Sequence, residues 1–163
     1  MSKPAEDNSL STHDQVVNKT VYIDASLTEV WAYLTDPNLM RTWMFPTDLD
    51  IITDWTVGNP IIIRGDLHGV PFENKGTVIQ FEPEKVLQYS HLSTVSRLRD
   101  EPANYSLIEF KLSATPNGQT ALTLTLSNFP TVVIYKHLVH YWTVTLELIK
   151  RNLEAPTQSE TST

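Results

Sequence analysis

The sequence predicts an α+β domain in which a curved antiparallel sheet grips a long C-terminal helix. Three features predict it. A capped pair of short helices follows the first alternating segment, residues 48–128 alternate like strands between turn residues, and 131–154 run amphipathic with neither Gly nor Pro. The order strand, two helices, strand array, long helix is that of α+β layering.

The first strand is expected over 16–23, where Val17, Lys19, Val21 and Ile23 alternate with Asn18, Thr20 and Tyr22. Ser26-Leu27-Thr28-Glu29 then reads as a capping box, the hydroxyl taking the Glu29 amide and the carboxylate reaching back. Leu27, Val30, Trp31 and Leu34 recur at i, i+3, i+4, i+7 and share one helical face. Pro37 ends that helix and suits the first position of a second one, with Asp36 as its N-cap and Leu39, Met40 and Trp43 inward.

In the strand array, Gly58-Asn59-Pro60 precedes Ile61-Ile62-Ile63-Arg64, His68-Gly69 breaks the next pair, and Glu82-Pro83-Glu84-Lys85 separates 74–81 from 86–91. Asn117-Gly118 is expected to form a type I′ turn joining 106–114 to 120–126. Ile108, Phe110 and Leu112 share a face there, as do Leu122, Leu124 and Leu126, so one side of the sheet is buried. Residues 92–104 lack alternation and read either as a cover or binding loop or as a solvated insertion.

The last helix takes Thr131 as its cap and would be about 35 Å long at 1.5 Å per residue. Its inward stripe is Tyr135, Leu138, Val139, Trp142, Leu146, Ile149 and Leu153, with Lys136, His137, His140, Glu147, Arg151 and Glu154 opposite. Only this helix is large enough to cover the sheet, and a cavity beside it is expected, because a curved sheet seldom closes fully on a helix.

The 163 residues suit one domain, placed at 14–154, with polar segments 1–13 and 155–163 expected to be disordered tails. Asp and Glu outnumber Lys and Arg 19 to 12, for a net charge of −7, and no basic run occurs. Partnership with nucleic acid or an anionic membrane surface is therefore not expected, since both need clustered positive charge. The absence of cysteine excludes disulfides, thiolate metal sites and a Cys nucleophile. Met1 to Asn8 lacks the apolar stretch of a secretory signal, which makes the cytoplasm the expected location.

The stretch Ala25 to Trp43 resembles the opening motif of the heat-shock-protein-90 ATPase activator homologue family, part of the START-like, birch-pollen-allergen-like (SRPBCC) superfamily. The resemblance continues through Asp54-Trp55-Thr56-Val57-Gly58, Lys75-Gly76-Thr77-Val78, Glu82 to Tyr89, Asn117 to Leu124 and Trp142 to Glu154, spanning nearly all of 16–154. It implies the helix-grip fold. For activity it implies only a range, since members of the superfamily bind lipids, sterols, hormones or polyketides, and some are cyclases or hydrolases. Relatives often carry Gly where this chain has Tyr141, a bulk expected to narrow the pocket or push the helix outward. The co-chaperone role of eukaryotic relatives depends on a separate N-terminal domain that this chain is not expected to hold.

The leading functional expectation is a binder of a small hydrophobic or aromatic molecule, without a cofactor or metal, through Trp43, Ile63, Arg64, Tyr89, His91, Ile108, Phe110, Leu138 and Trp142. Trp142 and the facing sheet residues form the pocket wall in the resembled fold. His91 follows Leu87 and Tyr89 at period two, which puts it at the pocket rim unless it is simply satisfied by backbone or water. Arg64, if inward, would be the counter-ion of a carboxylate, although solvent exposure is the weightier reading. His137 and His140 have an H-x-x-H spacing, but helical phase puts both on the charged face, away from any sheltered metal site. The alternatives are a protein-interaction or chaperone-associated module and a cyclase- or hydrolase-like enzyme, for which His91 with Arg64 is the only nominated pair.

Overall fold

The computed structural model describes residues 12–45 and 48–155, so most of both expected tails lies outside the described residues. Thr12–Asp14 form a 3-10 turn, and His13 Nε2 lies 3.0 Å from the Ala103 carbonyl oxygen. The elements that follow are β1 (Val16–Ile23), α1 (Leu27–Thr35), α2 (Pro37–Met44), β2 (Leu49–Ile52), β3 (Pro60–Leu67), β4 (Val70–Glu82), β5 (Val86–Ser93), β6 (Ser106–Ala114), β7 (Thr120–Ser127) and α3 (Val132–Glu154). The strands form one seven-stranded antiparallel sheet in the order β1-β7-β6-β5-β4-β3-β2. No helix among the described residues is long and apolar enough to cross a membrane.

Local chemistry sets the helix ends. The Ser26–Glu29 capping box opens α1, and the Asp36 carboxylate accepts from the Asn38 amide to open α2 with Pro37 in its first turn. Thr131 Oγ1 accepts from the Ile134 amide, 3.1 Å away, at the start of α3. Leu138, Trp142, Leu146 and Ile149 of the inward stripe are buried, with Tyr135 and Leu153 partly covered. Trp55, in a left-handed backbone conformation, closes the far end of α1: its indole donates to the Thr35 carbonyl at 2.7 Å and stacks on Phe81 at 5.5 Å.

The turn at Asn117-Gly118 differs from expectation. Only Gly118 has positive φ there, and its amide donates to the Thr115 carbonyl at 3.1 Å, while Thr115 N donates to Gln119 O at 2.8 Å. A two-residue I′ loop would make position 116 the ladder donor to Gln119, and Pro116 has no N–H. The chain instead places Pro116 inside a four-residue turn and uses Gly118 for the left-handed step. The primed turn occurs at His68-Gly69, where both residues have positive φ between the paired Leu67 and Val70.

β4 and β5 approach each other closely at Gly76. A Cβ there would overlap the Ser90 carbonyl, and just beyond it the β4–β5 register shifts between Val78 and Gln80. Gly76→Ala should therefore cost roughly 3 kcal/mol or more. Urea unfolding checks this: an unchanged midpoint would mean that the two strands part at no cost.

Candidate functional site

A cavity of about 310 Å³ lies between the sheet and the N-terminal half of α3. Its floor is the inner face of β3 to β6, including Ile63, Phe72, Tyr89 and Ile108, and its roof is Ile134, Leu138, Tyr141 and Trp142 of α3. Leu67, Val95 and Val133 contribute to the lining although they are 40%, 61% and 74% exposed, which makes them an apolar rim.

Of the nine residues nominated from sequence, Ile63, Tyr89, His91, Ile108, Leu138 and Trp142 line this cavity. Trp43, Arg64 and Phe110 do not. Trp43 and Phe110 are buried against Trp142, with ring centroids at 6.0 and 5.4 Å, and support it from the core side. Arg64 is exposed and donates through Nε to Glu73 Oε1 at 3.0 Å, its neighbour across β3 and β4. It therefore offers no counter-ion in the cavity, and the Arg64–His91 pair nominated for catalysis does not converge.

Tyr141 lines the roof of the cavity. Its ring packs on Phe45 at 5.7 Å and its hydroxyl donates to the Met44 carbonyl at 2.5 Å, tying α3 to the end of α2. Burial pushes the phenol pKa up, so it remains a donor. Burial does the same to Tyr89.

His91 is half-buried, and the surface it retains faces the cavity. Burial, aided by the nearby His137, lowers its pKa to about 4. His137 is exposed, as its helical phase demands, yet it also lines the cavity mouth. Two further polar residues, Asn74 and Ser106, were not singled out from sequence. Ser106 sits opposite His91 across β5 and β6, and Asn74 is in β4 on the other flank. Asn74 Oδ1 and Ser106 Oγ are buried and accept or donate no hydrogen bond among the described residues. The readable signal was phase: Ser106 precedes Ile108, Phe110 and Leu112 at period two, so a polar side chain was aimed inward.

The segment expected as a cover is shorter than 92–104, because β5 extends to Ser93. It lines the cavity through Val95, Ser96, Leu98 and Asn104 and is tied down at several points. Thr94 Oγ1 accepts from the Glu73 amide at 3.0 Å, and Asp100 receives both Lys75 Nζ at 2.5 Å and the Tyr105 hydroxyl at 2.6 Å. These partners hold the Asp100 carboxyl below its usual pKa and raise that of Lys75. The segment is a latched wall rather than a free insertion.

This sheet, wrapped on one long helix with a cavity between them, defines a helix-grip domain of the START-like class. Within it, the chain belongs to the family described as Activator of Hsp90 ATPase homolog 1-like protein, which matches residues 24–154. A protein from Cytophaga hutchinsonii solved in solution is similar, at 31% identity over 92% of this chain and 98% of that one, with a TM-score of 0.74. A Mesorhizobium loti protein shares 25% identity over 84% of this chain and 95% of its own, with a TM-score of 0.66. The Aha1 dimer from Colwellia psychrerythraea shares 24% over 86% and 96%, also with a TM-score of 0.66. Among curated proteins none matches.

Two predictions follow from this geometry. Asp100→Ala should speed amide hydrogen exchange across 97–104 severalfold while the global unfolding midpoint stays within error; equal protection in both proteins would show that the latch is dispensable. The second concerns His91. In the unfolded chain it takes up a proton near pH 6.5, but in the folded chain only near pH 4. Between those values the unfolded state binds more protons, so His91 makes stability fall as pH drops from 6.5 to 4, with no further loss below. In His91→Leu the difference in unfolding free energy between the two pH values should shrink by up to about 3 kcal/mol. Urea titrations of both proteins at pH 6.5 and 4 test this, and parallel profiles would reject it.

Proposed function

We propose that the protein binds a small, mostly apolar molecule, hydrophobic or aromatic, in the cavity between the sheet and α3. The observation that carries this reading is the cavity itself: about 310 Å³, walled by Phe72, Ile108, Leu138 and Trp142, and reached past an apolar rim. That volume is at the small end of the roughly 300–1,000 Å³ typical of ligand sites, which suits a molecule of two or three fused rings. Burying ~300 Å² of apolar ligand contributes roughly 7 kcal/mol. Association then costs several kcal/mol or more, so micromolar dissociation constants are expected.

Saturation at a hundredfold excess over Kd stabilises a protein by about 2.7 kcal/mol. For a chain of this size that is a Tm rise of roughly 5–10 °C. A thermal-shift panel of neutral aromatic compounds should show it in the wild type, and Leu138→Trp, which fills the cavity, should abolish it. No shift with any compound, together with no co-purified mass by native mass spectrometry, would remove the reading.

A second reading, a protein-interaction module, is favoured by the exposure of Val95 and Val133 at the rim. There a partner's apolar side chain would enter the same mouth. Competition between a captured partner and a cavity ligand distinguishes this reading from two independent surfaces.

A further inference from the structure

The cavity is mainly apolar, and an inward polar strip crosses three neighbouring strands of its floor: Asn74 on β4, His91 on β5 and Ser106 on β6. Several other polar groups on the lining are already engaged. Ser96 Oγ donates to the Ser93 carbonyl at 2.7 Å, Asn104 Nδ2 donates to Arg99 O at 2.9 Å, and the Tyr141 hydroxyl is held by Met44. Asn74 Oδ1 and Ser106 Oγ are different: both are buried and unpartnered among the described residues. An orphaned acceptor and an orphaned hydroxyl inside a cavity favour a ligand that supplies the missing hydrogen bonds.

Charge narrows the chemistry further. No Asp, Glu, Lys or Arg is among the described residues that line the cavity. Arg64 is outside and bound to Glu73, and Lys75, adjacent to Asn74 in sequence, is bound to Asp100. An anionic head group would therefore be buried without a counter-ion, which is strongly unfavourable. Resting on the binding reading above, we propose that the cavity selects an uncharged ligand bearing a hydroxyl, a phenol or polycyclic alcohol, which docks that hydroxyl on the Asn74–His91–Ser106 strip. A hydroxyl both donates, as Asn74 Oδ1 requires, and accepts, as Ser106 Oγ allows. His91 remains neutral at pH 7 because burial depresses its pKa to about 4, so it adds a hydrogen-bonding ring without attracting anions. Adjacent strands lie about 4.8 Å apart, so Asn74 and Ser106 are roughly 10 Å or more apart and one hydroxyl engages one of them.

The test compares three probes of matched shape at pH 7 by displacement of the neutral dye N-phenyl-1-naphthylamine: 2-methylnaphthalene, 2-naphthol and 2-naphthoate. The naphthol should bind about tenfold more tightly than the methyl analogue, and the carboxylate at least tenfold more weakly than the naphthol. In Asn74→Leu/Ser106→Ala the naphthol advantage should fall to within twofold, with methylnaphthalene binding retained. Naphthoate binding as tightly as naphthol overturns the proposal, as does an advantage that survives in the double variant. If the double variant does not fold, the wild-type ranking decides alone. Equal binding of naphthol and methylnaphthalene defeats this inference and leaves the cavity as a binding site. Failure of all three probes and of the dye defeats both.

Discussion

Trp142 is packed on both flanks, and this divides the interior in two. Its indole meets Phe110 edge-on and Trp43 at a tilt, while Tyr141 lies perpendicular to it along the helix. Toward the C-terminus of α3, Leu146 and Ile149 are fully enclosed in the same core cluster as Leu122, Leu124 and Leu126. Toward the N-terminus, Leu138 and Ile134 face the cavity. Aromatic contacts of this kind contribute beyond the area they bury, because edge and face charges complement one another. A smaller residue at 142 would withdraw the ring against which Phe110 and Trp43 pack.

The cavity persists because α3 is a rod fixed at both ends. Near its C-terminus Lys150 Nζ donates to the Tyr22 carbonyl at 2.6 Å, and the Asp24 amide donates to Glu154 Oε2 at 2.9 Å. Near its middle Tyr141 is bound to Met44, and near its N-terminus Tyr135 meets Phe129 edge-on at 4.9 Å. Closing the gap would require bending a 23-residue helix that contains neither Gly nor Pro. Sharp bends in helices almost always need such a residue or an inserted group. The space is a consequence of a straight element laid in a curved sheet.

That distinction explains how much was legible in the sequence. Caps, strand alternation and the stripe of α3 are local, and Ser26, Asp36, Thr131 and Leu138 announce them in their own neighbourhoods. Direction is local too, which is why Tyr89, His91 and Ile108 could be assigned to the inner face, whereas Ile63 and Arg64 were both nominated because the register of their strand is not local. What an inward side chain meets is not local. Phe110 and Ile108 share a phase, yet one meets Trp142 in the core and the other lines the cavity. His137 shows the converse, since it is exposed as its helical phase demands and yet lines the cavity. The Asn117-Gly118 turn was misread because the dipeptide was weighed without Pro116, whose missing N–H rules out the tighter loop.

Ser106 breaks the apolar pattern of the inner face of β6, and Asn74 breaks it on β4 between Phe72 and Val78. Every other inward position of β6 is apolar, and a Val or Leu at 106 would remove a buried group that lacks a partner. Sequences tend to be consistent from local to global level, and exceptions concentrate where function requires them. Structural necessity does not account for either side chain: neither makes a hydrogen bond to the described fold, and neither is at a turn or a helix cap. A buried polar group without a partner is a cost to the fold that carries it. The same segment of sheet is adjacent to Gly76, whose close approach to Ser90 brings β4 and β5 together beside His91. Gly76, Asn74 and His91 thus lie together on one short stretch of β4 and β5, with Ser106 alongside on β6.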